Sequence, residues 1–495
     1  MVAMAIVVLA VTTVLVTNRG IYQTASALIN SAVVADPNRR PTPQQQVVQK
    51  AINQPTILAS VTHAATQPTA PPQPPPQQPP PPPGQVPGFG GSNPFVHTKF
   101  FIVPSPGETR YVPNEIVLQV GSHISRETLE AVTASLALTV LDIQNLRALG
   151  TTSIRISTNN ISVAEAIRLL AKQQIIAAAT VNYVYSLTQD PAARSSEEVQ
   201  GDAGQYVLGK LRLSDVHRVL KGTNISIGVI DSEIDGSHPD LDGVISSRFD
   251  ATGSEEKPHS HGTGIAGAIA SHRKLLGIAP GARLLAIRAF SNKASRAEST
   301  TFNILKSLDY AINNGVRIVN MSFAGPRDPT LERAFKVAHD KGVVLIAAAG
   351  NAGPKSPPLY PAADQSVIAV TATDIDDKVF SGANRGRHIA ISAPGVDILV
   401  PAPEGTYQMT TGTSVAAAHI SGIVALLLER NPKLTPGDIR KILTASASRL
   451  GSNDEFGAGL VDPAKALKLA EPKTEPLAWT QRVMTRLGLG EQAHR

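Results

Sequence analysis

The stretch Ile225-Ser-Ile-Gly-Val-Ile-Asp231-Ser-Glu-Ile-Asp235 is an apolar run of strand composition that stops at a carboxylate. Two later stretches complete a pattern with it: His261-Gly-Thr-Gly-Ile-Ala-Gly267 and Gly412-Thr-Ser414-Val-Ala-Ala-Ala-His-Ile-Ser-Gly422. The histidine opens a run of small residues suited to a helix, and the serine opens a long apolar one. A serine hydroxyl is a poor nucleophile at neutral pH and needs a neighbouring base to take its proton. That base needs a buried carboxylate to hold it in one tautomer. Each stretch has a plainer reading on its own: a helix N-cap at Gly-Thr-Ser, a turn histidine, a solvated strand end. A fourth stretch strengthens the chemical one. Gly342-Val-Val-Leu-Ile-Ala-Ala-Ala-Gly350-Asn351-Ala-Gly353 is an apolar strand that stops at Gly-Asn. It puts a side-chain amide where an oxyanion donor is needed, a role worth roughly 3–4 kcal/mol.

The order Asp…His…Ser is one of three in which this constellation is found. With these segments the chain resembles the subtilisin-like serine peptidases. A fifth segment, Arg317-Ile-Val-Asn320-Met-Ser322-Phe-Ala-Gly325-Pro, resembles the substrate-binding strand of that family. The resemblance implies a serine endopeptidase that hydrolyses peptide bonds of polypeptide substrates through an acyl-enzyme. Ser414 would attack, His261 would accept its proton, and Asp231 would orient the imidazole. The Asn351 side chain and the Ser414 backbone N–H, at a helix start with partial positive charge, would meet the oxyanion. Ser322, Phe323 and Ala324, with Ala348, Ala349 and Gly350, would line the pocket for the residue before the cut. None carries charge, which points to apolar or small side chains there.

The residues themselves predict an α/β fold. Near-continuous apolar strands at Asn224–Asp231, Ala282–Phe290, Arg317–Phe323 and Val343–Gly350 alternate with helices at Thr301–Asn314 and Pro329–Lys341. Such alternation predicts a parallel sheet covered on both faces. Asp231 and Asn351 then fall at strand carboxyl ends, where open α/β sheets place their sites. The family architecture is a three-layer domain with a mostly parallel central sheet, here expected over residues 205–470. Before it, residues 107–187 read as β-α-β-β-α-β, with a capping-box start at Ser162-Val-Ala-Glu165. This ferredoxin-like α+β order resembles the family's propeptide, which implies an intramolecular inhibitor of the chain's own active site. A polar segment, 188–204, is placed for self-processing.

Residues 28–106 are expected to form a Pro/Gln-rich spacer, densest at Pro71-Pro-Gln-Pro-Pro-Pro-Gln-Gln-Pro-Pro-Pro-Pro-Pro83. As polyproline II helix this densest tract spans roughly 40 Å. Residues 1–27 are expected to be a signal peptide or a retained anchor, with a membrane tether through residues 1–18. Met1–Val16 is uncharged and almost wholly apolar, and Ala25-Ser-Ala27 has the form of a leader cleavage site. Either case puts the enzyme outside the cytoplasm. Residues 471–495 form a tail of open role. The chain has 495 residues and no cysteine, which excludes disulfides, zinc–thiolate sites and a cysteine nucleophile. Its 45 Lys plus Arg against 39 Asp plus Glu are spread along the chain without a dense basic block, so no nucleic-acid partner is expected.

Departures from the family pattern are Glu233 for Gly after Asp-Ser, Gly264 for a second His, Val415 for Met, Ala418 for Pro and Ala324 for Gly. A carboxylate at Glu233 would raise the histidine's pKa or crowd its loop if it pointed inward. No cofactor or metal is expected. The loop where secreted members hold calcium is here Ser271-His-Arg-Lys-Leu-Leu276, short, cationic and without carboxylates. The alternative is a catalytically inactive binding or scaffold protein on the same fold, motivated by Glu233 and Ala418. Retention of all four triad and oxyanion residues argues against it. His261 and Asn351 argue against a serine-carboxyl peptidase, which has Glu and Asp there. Ser414 does not sit in the Gly-x-Ser-x-Gly elbow of a lipase.

Overall fold

The computed structural model describes residues 99–188, 205–292 and 297–472. The expected leader, nearly all of the Pro/Gln-rich spacer, the processing segment beyond Thr188 and the tail beyond residue 472 lie outside them. The first part is an α+β unit. Its strands are β1 (Phe100–Phe101), β2 (Tyr111–Val120), β3 (Thr139–Leu146), β4 (Thr151–Ser157) and β5 (Ile176–Leu187). They order β1-β5-β2-β4-β3, antiparallel except for the β1–β5 pair. Helices α1 (Arg126–Ser135) and α2 (Val163–Leu170) begin at serines whose hydroxyls accept a backbone N–H, Ser125 from Thr128 and Ser162 from Glu165. Such caps satisfy donors that a helix start leaves without a partner. Strand β1 departs from the expected boundary, because residues 100–101 were assigned to the spacer. A two-residue strand has no periodicity to read; its pairing to Ala178 and Ala179 is what defines it.

The second part begins with short helices α3 (Tyr206–Lys210) and α4 (Leu213–His217). It then alternates: β6 (Ser226–Asp231), β7 (Ile245–Asp250), α5 (Ser260–Ala270), β8 (Arg283–Arg288), β9 (Glu298–Thr300), α6 (Thr301–Asn313), β10 (Ile318–Met321), β11 (Phe323–Ala324), α7 (Pro329–Asp340) and β12 (Val344–Ala348). Next come β13 (Val367–Thr373), β14 (Ile389–Pro394), the hairpin β15 (Ile398–Ala402) and β16 (Thr406–Thr410), and helix α8 (Thr413–Arg430). Seven strands form one parallel sheet, ordered β14-β13-β12-β10-β6-β8-β7. The chain lays β7 and β8 on one side of β6 and then crosses to β10 on the other. The sheet therefore reverses at β6, and ligand sites of open α/β sheets lie at the carboxyl end of such a reversal. Asp231 is the last residue of β6.

Alternation along the strands decides which layer each residue faces. Ile227 and Val229 join the core beneath α5 and α8, whereas Ile230 joins the opposite core beneath α6 and α7. Asp231 continues the odd-numbered face, toward the helices that His261 and Ser414 open. The core on the α6–α7 side runs on into that of the α+β unit, where Ile116, Leu118 and Ile154 belong to the same cluster as Phe302 and Leu305. The α+β unit is thus packed on the sheet domain through its core as well as at its edge.

Candidate active site

Asp231 is fully buried at the end of β6, and its Oδ1 lies 2.7 Å from His261 Nδ1. His261 is in the first turn of α5, and its other ring nitrogen, Nε2, is buried and makes no hydrogen bond among the described residues. The Asp231 carboxylate is fixed from its own chain: Oδ1 accepts from Ser232 N at 2.7 Å and from Ser232 Oγ at 3.1 Å. Ser232 Oγ also accepts from Gly262 N at 3.1 Å and lies 3.0 Å from His259 Nδ1. His259 caps α5, its Nδ1 accepting from His261 N at 3.3 Å. Burial lowers the His259 pKa, and the neighbouring His261 adds to this, against Asp231 and Glu256. A neutral ring is what the cap requires. Ser232 and His259 were missed in the sequence because their roles are contacts between two segments about 30 residues apart.

Ser414 is buried in the first turn of α8, behind Gly412 at φ 154°. Helix α8 is tied to the sheet beneath it: Ser322 Oγ donates to the Ser414 carbonyl at 3.0 Å, Asn320 Nδ2 donates to Ser322 Oγ at 2.9 Å, and Ser421 Oγ donates to Asn320 Oδ1 at 2.9 Å. Asn351 completes the group. Its Oδ1 accepts from Thr413 N at 3.1 Å and from Thr413 Oγ1 at 2.8 Å, which leaves Nδ2 to serve another acceptor. That Nδ2 donates to the carbonyl of Thr188 at 3.1 Å.

Thr188 is the residue after β5, and the tail of β5 lies between two strands of the sheet domain. Val184, Tyr185 and Ser186 pair antiparallel with Thr300, Ser299 and Glu298 of β9, and Ser186 and Leu187 pair with Ala324 and Phe323 of β11. Thr188 N and Oγ1 both donate to the Ser322 carbonyl, at 3.1 and 3.0 Å. A methyl group built on Gly412 would lie 3.0 Å from Thr188 O and 3.2 Å from Ser414 Oγ. The carbonyl and the hydroxyl therefore border one small volume that glycine keeps open.

The six expected pocket residues divide. Ser322 receives Thr188 through its backbone carbonyl, while its hydroxyl faces α8. Phe323 is fully buried with its ring against Tyr185 at 6.0 Å and Phe290 at 5.1 Å, so it belongs to the pocket of Tyr185. Ala324 pairs with Ser186. Ala348 ends β12, Ala349 follows it, and both are fully buried. Gly350, at φ 110°, donates its N–H to Thr413 Oγ1 at 3.1 Å and so helps fix the start of α8. Glu233 points away from the histidine: Oε1 pairs with Arg248 Nη1 at 2.6 Å and Oε2 lies 3.4 Å from Arg288 Nε. Gly264 faces the β15–β16 hairpin, where a Cβ would come 2.9 Å from Val400 Cγ2, so a larger residue has no room.

A parallel α/β sheet with an Asp–His pair, a serine and an amide at its carboxyl edge defines a class, the serine hydrolases with an Asp…His…Ser order. The chain belongs to the subtilase family of peptidases, whose profile matches residues 222–459, and it is a serine endopeptidase. Residues 101–182 match the N-terminal prodomain of the fervidolysin type. The chain is 37% identical to subtilisin of Bacillus pumilus over 269 residues, 52% of this chain and 96% of that protein. It is 35% identical to subtilisin E of Bacillus subtilis over 305 residues, 58% of this chain and 79% of that one. Among solved structures it is similar to fervidolysin from Fervidobacterium pennivorans, a keratinolytic enzyme related to subtilisin. That match has a TM-score of 0.63 and 26% identity, over 75% of this chain and 63% of the other.

Proposed function

We propose that Asp231, His261 and Ser414 form the catalytic triad, with Asn351 Nδ2 and the Ser414 N–H as oxyanion donors, and that the enzyme matures by cutting its own Thr188–Gln189 bond. The observation that carries this reading is the Thr188 carbonyl on the Asn351 amide, beside Ser414 and beneath a strand-paired tail. A substrate chain would lie as the β5 tail does, antiparallel between β9 and β11. Ser414 Oγ attacks the scissile carbonyl carbon as its proton passes to His261 Nε2. Asp231 holds Nδ1–H toward itself, so that Nε2 is the free base, and stabilises the imidazolium that forms. The oxyanion draws on Asn351 and the first turn of α8, whose N–H groups lack intrahelical acceptors. His261 then protonates the leaving nitrogen, and the acyl group on Ser414 is released by water activated through the same imidazole.

While the β5 tail occupies this cleft, no other chain can enter it, which supports the α+β unit as an intramolecular inhibitor. Work outside the cytoplasm fits the uncharged apolar run Met1–Val16. The test is to produce the full chain and its Ser414→Ala variant and follow both by intact-protein mass spectrometry. The expected result is a product starting at Gln189 from the wild type and an uncut variant. A folded wild type that stays whole and ignores a fluorophosphonate probe would favour the scaffold reading.

A further inference from the structure

We propose that His259 is a positioning residue for His261, holding the backbone of the base through an unprotonated Nδ1. This rests on the reading of Asp231, His261 and Ser414 as the triad. The 2.7 Å contact with Asp231 fixes one atom of the His261 ring and leaves the backbone beneath it to other groups. That backbone is the start of a helix, since α5 begins at Ser260, and N–H groups there have no intrahelical acceptor. Two side chains supply acceptors. His259 Nδ1 accepts from His261 N at 3.3 Å, and Ser232 Oγ accepts from Gly262 N at 3.1 Å.

These contacts close on themselves. Ser232 Oγ lies 3.0 Å from His259 Nδ1 and 3.1 Å from Asp231 Oδ1. A ring therefore runs from Asp231 to Ser232, to His259, to His261 and back to Asp231. It ties the base to its carboxylate by two routes, one through the imidazole and one through the peptide. The backbone stiffens it: His259 N donates to the Glu233 carbonyl at 2.8 Å. A Cβ on Gly262 would come 2.5 Å from the Ser232 carbonyl oxygen, so only glycine lets α5 start this close to the end of β6. Proton positions decide which nitrogen of His259 matters. Ser232 has one proton, and both Asp231 Oδ1 and His259 Nδ1 lie within its reach as acceptors. Nδ1 serves His261 N only with its lone pair, so the neutral ring carries its proton on Nε2. An uncharged ring also adds no repulsion to the imidazolium that His261 becomes during the reaction. Loss of the contact displaces the base, and a misplacement of about 1 Å costs on the order of a hundredfold in rate.

The test follows self-processing of the full chain in dilute solution by intact-protein mass spectrometry, in the wild type and in His259→Asn, His259→Gln and His259→Ala. An intramolecular cut involves no substrate binding from solution, so its rate reads the chemical step. Asparagine carries an amide oxygen where Nδ1 stands, whereas glutamine carries its amide where Nε2 stands. We expect the Asn variant within about threefold of wild type, and the Gln and Ala variants slower by about tenfold or more. Fluorophosphonate labelling of the matured enzymes should follow the same order. Rates are compared well below the melting temperature of each variant, where a contact that served only stability would leave them unchanged. If the Ala variant fails to fold, the contrast between Asn and Gln decides. An Asn variant as slow as Gln, or a Gln variant within about threefold of wild type, overturns the proposal while leaving the triad in place. A wild type that neither cuts itself nor reacts with the fluorophosphonate removes the triad reading, and this proposal with it.

Discussion

Asn351 faces Thr188 with its nitrogen because Thr413 claims its oxygen. The two bonds from Thr413 N and Oγ1 to Asn351 Oδ1 fix the amide, so that Nδ2 meets the Thr188 carbonyl at 3.1 Å. The start of α8 thereby orients the amide proposed as the oxyanion donor. Asn351→Ala should lower kcat by about a hundredfold or more with little change in KM, because the donor acts on charge that develops only in the transition state. Asn351→Asp should fare no better, since it turns an acceptor toward the oxyanion. Steady-state kinetics on a peptide anilide reads both variants, and a loss confined to KM would contradict the assignment.

Glu233 belongs to a charge cluster around Arg288 and not to the proposed triad. Arg288, with 6% of its side chain exposed, lies 2.6 Å from Asp250, 3.4 Å from Glu233 and 4.0 Å from Glu256. Glu233→Gln leaves Arg288 its other two carboxylates. We expect kcat/KM within about threefold of wild type and a stability loss on the order of 1 kcal/mol. Kinetics alongside denaturant unfolding in the Ser414→Ala background separates the two effects. A rise in activity on removing the charge would mean that Glu233 does disturb His261.

The sequence carried the strands and helices that end or begin at the proposed catalytic residues, because apolar periodicity is local. Strands β6, β8, β10 and β12 and helices α6 and α7 lie within a few residues of their expected places. What escaped was tertiary in origin. Strand β1 exists only through its pairing with β5. The tail of β5 reaches Leu187 because β9 and β11 receive it, and no local pattern separates that use from an ordinary strand end. Phe323 was placed in the pocket of the residue before the cut by family resemblance; its backbone pairs with Leu187, and its ring packs on Phe290 and Tyr185. The Ser232–His259 contact beneath Asp231 joins residues with no shared periodicity.

The loop after α5 is held by protein groups where a cation would need free oxygens. Asp240 is fully buried, with Oδ1 accepting from Lys274 N at 2.8 Å and Oδ2 from Leu275 N at 3.1 Å. Lys274 Nζ lies 4.2 Å from the centre of the Tyr407 ring, where an ammonium interacts favourably with the π face. Asp235 is similarly engaged by Ser237 N and Oγ and by Glu404 N. Calcium needs several oxygens at once. Dialysis against a chelator should therefore leave activity and Tm unchanged, and calcium should restore nothing. A Tm that climbs by several degrees on adding calcium would show a site that this loop chemistry does not provide.

His419 couples helix α8 to pH. It is buried in α8, its Nδ1 donating to the Pro394 carbonyl at 2.9 Å, and burial pushes its pKa down to about 4 against the raising effect of that carbonyl. In the unfolded chain a histidine titrates near 6.5. Between those values the unfolded state binds the proton and the folded state does not, so this residue's contribution to stability falls as pH drops from about 6.5 to 4. It is flat on either side of that window, and the full change is about 3 kcal/mol. Asp328 has the opposite sign: burial raises its pKa to about 6, so its own contribution improves as pH falls below that value. Comparing wild type with His419→Gln cancels Asp328. In the Ser414→Ala background, which prevents self-digestion, the stability lead of histidine over glutamine should shrink by about 3 kcal/mol between pH 7 and pH 4. Equilibrium unfolding in denaturant at several pH values measures this lead. A lead that does not change with pH would mean that His419 takes up its proton within the folded protein, with α8 giving way around it.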